Sequence, residues 1–297
     1  MRLASVAKAF SGAVALSLVA DHTLSLTATV GKWLPRLPVA WSAVTLRQLL
    51  QHTSGIPDFS SNKAFQEALV KSLLMPPAPE GLLSYVAHEG LEFTPGSQFR
   101  YSNSDNIVIA LMIEAATGQS YETELRNRVF VPLGLTRTSL PRGARVPAPY
   151  IHGYEVDPPQ TPKDITELFA AGWSWASGGI ISTPADANRF VRAYVRGAAT
   201  NRPTRAAQFK FVAGSSEPPG PGKNSVGLGI FRYQTRCGTV YGHTGNTAGY
   251  TQFIAASSNG ARSVVVSINA QITPTVDRQR FKELRDLYTL AVCAALA

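Results

Sequence analysis

Apolar residues recur at helical spacing through residues 5–20, in an Ala-rich stretch with strong helix-forming propensity, and Asp21-His22 closes the run. Met1-Arg2 followed by the apolar stretch 13–20 also has the outline of a short signal segment. The run is short and Lys8 sits against it, so the opening helix of a folded unit is the better reading. Thr45 followed three residues later by Gln48 is a capping-box pattern, opening a short helix through Leu49-Leu50 with Gly55 just beyond. Pro76, Pro77 and Pro79 mark a loop. Ile107, Ala110, Leu111 and Glu114 give helical intervals over residues 103–117, and Gly118 is the expected stop. Residues 141–163 are Pro-rich and read as an extended connection; residues 214–223 read as a second loop.

The pattern then changes period. Residues 226–233, 239–242, 250–256 and 263–268 read as strands, and Asn259-Gly260 signals a tight hairpin between the last two. Phe281, Leu284, Leu287, Tyr288 and Ala291 give a closing amphipathic helix. The expected fold class is α/β of the α+β type: an antiparallel sheet flanked by helices, plus a mostly helical part. Residues 1–297 are expected to form one domain. Segments 1–40 and 170–297 supply its sheet-plus-helix part, and 41–169 the mostly helical part. No internal repeat is evident.

Composition narrows the class. Hydrophobic residues make up 44% and charged residues 16%, which fits a packed core and excludes a disordered chain. No run of about eighteen apolar residues exists, so no membrane span is expected. Lys and Arg outnumber Asp and Glu by 28 to 19, a net charge of +9, which suits an anionic polymer such as a cell wall. No block of five or six basic residues accompanies it, so a nucleic-acid partner is not expected. Cys237 and Cys293 cannot form a CxxC site at their spacing, and residue spacing leaves one structural disulfide or two buried thiols equally open. A disulfide would belong outside the reducing cytosol.

The chain has no Gly-x-Ser-x-Gly elbow, no Gly-x-Gly-x-x-Gly, no phosphate loop and no His-Glu-x-x-His; its five histidines are scattered, so neither a metal nor a cofactor is expected. Three short patterns carry chemistry. Ser5-Val6-Ala7-Lys8 puts a hydroxyl and an amine three apart, on one face of the opening helix. Ser60-Ser61-Asn62-Lys63 has the same spacing but lies in a polar loop. Tyr101-Ser102-Asn103 stands just before a helix, and His243-Thr244-Gly245 enters a strand. Taken singly, these also fit a helix cap with a surface lysine, turn chemistry, and a satisfied sheet histidine.

In combination and order, Ser-x-x-Lys, Tyr-x-Asn and His-Thr-Gly resemble the active-site signature of the serine beta-lactamase and penicillin-binding protein superfamily. The Tyr and His variants are similar to its class C-like branch. Residues 44–55, residues 130–135, the stretch from Trp173 to Thr183 and residues 237–245 look similar as well, so the resemblance covers almost the whole chain. The last stretch looks most like secreted actinomycete-type D-alanyl-D-alanine carboxypeptidases. It implies a beta-lactamase/transpeptidase-like fold and a Cys237–Cys293 disulfide. It implies a nucleophilic Ser5 that forms an acyl-enzyme, with Lys8 or Tyr101 as base. Asn103 is expected to bind the substrate's acyl-side amide and help hold Lys8. His243, Thr244 and Gly245 are expected to line the substrate strand, with Thr244 near a substrate carboxylate. The N–H groups of Ser5 and Asn246 are expected to form the oxyanion hole, and Trp173 to stand at the pocket rim.

The implied activity is D-Ala-D-Ala carboxypeptidase on peptidoglycan stem peptides. Beta-lactamase, esterase or a non-catalytic penicillin-binding sensor are the alternatives, with beta-lactams or small esters as partners. A monomer, secreted or in the cell envelope, is expected. Two departures stand out. Phe231 occupies the position of a substrate-facing Arg, and Arg232 is expected to point the other way. The resemblance also puts some tens of residues upstream of the nucleophile, including a helix and two strands, so the sheet is expected to lack N-terminal strands and to show a raw edge.

Overall fold

The computed structural model describes residues Met1–Ala297. A 3-10 turn, Ala4–Val6, runs without a break into α1 (Ala7–Ala20). No charged residue but Lys8 lies in α1, and most of its length is buried. That composition makes it a central helix rather than a surface one. Phe10 on α1 stacks on Phe190 at 3.6 Å.

The remaining helices of seven or more residues are α2 (Lys63–Lys71), α3 (Asn103–Thr117), α4 (Pro184–Arg196), α5 (Arg202–Gln208) and α6 (Arg278–Leu296). Helix α3 ends as read from the sequence, with Gly118 at φ 68 in the left-handed region. The Thr45–Gln48 capping box is formed in both directions at the start of a helix over Leu46–Leu50.

Six antiparallel strands form the sheet in sequence order: β1 (Val212–Ala213), β2 (Lys223–Val226), β3 (Phe231–Thr235), β4 (Gly238–Thr247), β5 (Tyr250–Ala256) and β6 (Ser263–Ile268). Two strand expectations change. The single strand expected over 226–233 is two strands, because Gly227–Ile230 turns the chain and Gly229 takes φ 64. A Cβ on Gly229 would lie 2.9 Å from the Cα of Gly12, so the turn is also where α1 presses on the sheet. The Asn259-Gly260 hairpin is not tight: six residues, 257–262, join β5 to β6, and of the pair only Gly260 has positive φ. The two-residue hairpin is instead Ala248-Gly249, between β4 and β5.

Every residue of β5 is buried, because helices cover both faces of the sheet. On one face, α1, α3, α4 and the sheet contribute to one continuous cluster of 52 buried residues that also takes in Trp41, Leu82 and Trp175. On the other, 11 buried residues lie between the sheet and α6, among them Tyr233, Phe253, Leu284 and Tyr288. Cys237, at the turn before β4, is bonded to Cys293 on α6, so the alternative of two thiols is set aside. No helix is long and apolar enough to cross a membrane.

The smaller cluster has the weaker hydrophobic hold, and the disulfide closes a separation of 56 residues across it. Replacing both cysteines by serine is expected to lower the unfolding free energy by about 2–4 kcal/mol, read as a lower urea midpoint. An unchanged midpoint would show that α6 holds the sheet without the bridge.

Candidate active site

Ser5 sits in the 3-10 turn that opens α1, and Lys8 follows in its first turn. Lys8 is 1% exposed, so its amine must find partners in the protein. Nζ lies 2.7 Å from Asn103 Oδ1, 2.7 Å from the Ser177 carbonyl and 3.0 Å from Ser5 Oγ. Burial lowers the Lys8 pKa to about 7, although Asp58, Glu217 and Asp105 pull it upward. In the neutral amine two N–H groups satisfy the two carbonyl-type oxygens, and the lone pair is left for the Ser5 hydroxyl. The second Ser-x-x-Lys builds nothing comparable: the Lys63 side chain is 89% exposed and reaches only Glu67.

Tyr101 arrives from the loop before α3 and is 7% exposed. Its ring lies 5.0 Å from Lys8 Nζ. Its hydroxyl makes no well-formed hydrogen bond in the resting site, although Ser5 is near enough to favour its ionised form. Burial dominates, aided by Glu217 and Asp58, and holds the phenol well above its usual range. Tyr101 therefore keeps its proton at rest.

Behind Tyr101 stands a buried group that short-range spacing does not reveal. The His52 ring packs on Tyr101 at 4.5 Å, and His52 Nδ1 is 2.8 Å from Asp105 Oδ2. Ser54 Oγ donates to Asp105 Oδ1. Burial, then the charge of Lys8, lowers His52 to about 3, so the imidazole is neutral. A sequence separation of 53 hides the His52–Asp105 pair from a sequence reading. Backbone strain gathers here too. Ala4, His52 and Trp175, at φ 49, 53 and 36, precede Ser5, pack on Tyr101 and lie two residues before Ser177.

Strand β4 pairs with β3 only as far as Gly242, so residues 243–247 turn a free edge toward Ser5. Alternation from the Ala248-Gly249 hairpin points the N–H groups of Thr244 and Asn246 away from β5. The first N–H groups of a helix also lack an intrahelical acceptor, which frees that of Ser5. A Cβ on Gly245 would come within 2.4 Å of the Leu3 carbonyl and 3.2 Å of the Ser5 nitrogen. Only glycine lets this edge close on the nucleophile turn.

Three residues expected to contact substrate already have partners within the protein. His243 is 1% exposed, its Nδ1 donates to the Thr244 carbonyl, and its ring meets Phe231 edge-on at 4.9 Å. Burial lowers it to about 3, so it is a neutral part of the interior. Thr244 is fully buried, and its hydroxyl donates to the Pro218 carbonyl at 2.6 Å, leaving nothing for a substrate carboxylate. Asn103 Oδ1 accepts from Lys8, and its Nδ2 donates to Asp58 and Ser60, so both Nδ2 protons are taken. The departure at Phe231 stands: its side chain is buried, and Arg232 donates to Ser225 Oγ on the other side of β3.

Beside Ser5 opens a groove of about 450 Å³ that Asn103 and Asn246 also border. Its walls include Phe59, Phe65, Leu69, Leu168, Phe169 and Trp173. Trp173 is a buried wall rather than a rim: it meets Phe65 edge-on, and its Nε1 donates to the Ser72 carbonyl. Arg2 fixes the opposite wall from within, donating to the Thr166, Ala144 and Phe169 carbonyls.

The Beta-lactamase family matches residues 1–289. Penicillin-binding protein 4 of Amycolatopsis lactamdurans is 26% identical over 94% of this chain and 74% of its own length. Penicillin-binding protein 4* of Bacillus subtilis is 31% identical over 52% of this chain, which spans only 34% of that relative's length. A D-stereospecific amidohydrolase from Streptomyces superposes with a TM-score of 0.84 at 28% identity, over 96% of this chain and 86% of its own. A penicillin-binding protein from Bacillus halodurans shares the fold, with a TM-score of 0.77 at 21% identity over 96% of this chain and 86% of its own.

The Lys8 pKa of about 7 gives a signed expectation. The neutral amine grows as pH rises, so Ser5 labelling by a fluorophosphonate should rise about tenfold per pH unit below 7 and level off above it. Lys8→Met should abolish the inflection and most of the rate, and Ser5→Ala all labelling. A flat profile between pH 5 and 9 would remove Lys8 as the base.

Proposed function

The chain belongs to the beta-lactamase family of serine hydrolases, and from that premise we propose that it hydrolyses amides or esters of apolar acyl groups through an acyl-enzyme on Ser5. The observation that carries this reading is the buried Lys8 amine 3.0 Å from Ser5 Oγ. Ser5 Oγ attacks the acyl carbon and gives its proton to Lys8 Nζ. The bond to the leaving group breaks as Tyr101 Oη supplies that group with a proton. A water then returns a proton to the Tyr101 phenolate while its oxygen attacks the acyl carbon. Ser5 Oγ leaves and takes back its proton from Lys8. Each group returns to its starting state, and the net reaction consumes one water. The N–H groups of Ser5 and Asn246 are assigned to the oxyanion, each worth a few kcal/mol in such sites.

The acyl group belongs in the apolar groove, where burial contributes about 25 cal/mol per Å² removed from water. D-Ala-D-Ala carboxypeptidase activity is the second reading. The His-Thr-Gly strand favours it; the committed Thr244 hydroxyl and the buried Phe231 weigh against it. No cofactor enters the chemistry. The cluster and groove are complete within one chain, which supports a monomer as the working unit. The disulfide supports a place outside the cytosol.

A panel of phenylacetyl and acetyl p-nitrophenyl esters, a phenylacetyl-D-alanyl-D-alanine peptide and a chromogenic cephalosporin separates the readings. Turnover of phenylacetyl over acetyl esters by about tenfold or more is expected, with slow or no release of D-alanine. Peptide turnover exceeding that of both esters would establish the carboxypeptidase instead. Ser5 labelled by none of these would end the hydrolase reading.

A further inference from the structure

Two pockets lined by the Ser5 cluster are built differently. The acyl side is the apolar groove. A second pocket, which Tyr101 lines and Ser5 does not, is bordered by Asp58, Glu89, Glu92 and Glu217 with Arg100 as its one cation. Arg100 is already paired with Glu92 at 2.8 Å. Asp58 and Glu217 have no ion-pair partner, and Tyr101, which also lines this pocket, has a buried hydroxyl with no hydrogen-bond partner.

The loop that carries Glu217 is fixed in place. Thr244 Oγ1 donates to the Pro218 carbonyl, Tyr233 Oη donates to Ser216 Oγ, and Arg285 donates to the Gly220 and Gly222 carbonyls. Ser216 and Pro218 are buried, and Glu217 between them is exposed. Rigid neighbours thus hold the Glu217 carboxyl in one pocket with Tyr101, near enough for its charge to act on both Tyr101 and Lys8.

We propose that Glu217 is a specificity-determining residue: it makes the site reject leaving groups that carry a carboxylate and accept amines that depart as cations. This rests on the hydrolase reading above. When an amide is cleaved, the carbon–nitrogen bond breaks as the nitrogen takes the Tyr101 proton. The free amine then takes a second proton from water and becomes an ammonium ion. Negative charge beside Tyr101 stabilises that ion and opposes an anionic one, so selectivity comes from repulsion as much as from attraction.

The test uses three phenylacetate aryl esters whose leaving phenols differ only in a meta carboxylate, carboxamide or aminomethyl group. The order of kcat/KM in the wild type should be aminomethyl, then carboxamide, then carboxylate, with about tenfold between the last two at low salt. Glu217→Gln should narrow the carboxamide-to-carboxylate ratio at least about threefold, Glu217→Arg should invert it, and Glu217→Asp should keep most of it. Where turnover is slow, the same ratios are read as protection of Ser5 from a fluorophosphonate. A wild type that treats the three alike, or a ratio unmoved in Glu217→Gln, overturns the proposal while leaving the hydrolase reading intact. Ser5 that neither turns over esters nor takes the fluorophosphonate overturns both.

Discussion

A lysine amine shut away from water is the constraint around which this structure is arranged. A full charge there would cost several kcal/mol unless paired. The protein pairs it with carbonyl-type oxygens from Asn103 and Ser177 and with no carboxylate. The distinction decides the chemistry. A carboxylate on Nζ would hold the amine in its ammonium form. Asp58 instead accepts from Asn103 Nδ2, one side chain removed from the amine. Asn103 thus polarises toward Lys8 without forming an ion pair, and the amine stays near its switching point at neutral pH.

That arrangement needs α1 in the centre of the molecule, and the packing around it follows. Glycines meet where backbones must approach: Gly12 on α1 against Gly229 of the sheet turn, and Gly245 of β4 against the Ser5 turn. Asn106 on α3 accepts from Ser11 on α1, which sets the helix that follows Tyr101 and Asn103 against the helix that follows Ser5. Ser5, Lys8 and Tyr101 therefore stand at the starts of two helices that are tied to each other, with little freedom to separate, and the open edge of β4 lies beside Ser5.

Much of this was legible from local pattern. A three-residue spacing on an apolar helix is enough to bring Ser5 and Lys8 together, since helical geometry fixes that distance. The limits of α3, with Gly118 beyond it, follow from apolar period and glycine conformation. What failed needed long-range facts. Residues 226–233 read as one strand because apolar residues flank the glycines, whereas the approach of Gly12 makes them a turn. Thr244 reads as a substrate contact because strand alternation says which residues share a face, not which face a distant loop will cover; His243, on the opposite face, packs on Phe231. Pro218, 26 residues away, covers that of Thr244. The His52–Asp105 pair is likewise joined only by the fold.

The interior around Ser5 holds three side chains that bind protons as bases, Lys8, His52 and His243, and they repel one another when charged. Burial settles the contest unequally. Both imidazoles fall to about 3 and remain neutral across the physiological range, while the Tyr101 phenol is pushed up and keeps its proton. Lys8, with carboxylates near but not touching, is left as the group of this cluster whose proton occupancy changes close to pH 7. Two neutral rings thus hold space beside Lys8 and Tyr101 without competing with either for a proton. Replacing either imidazole by a group charged at neutral pH would draw the amine away from its switching point before it altered any contact with substrate.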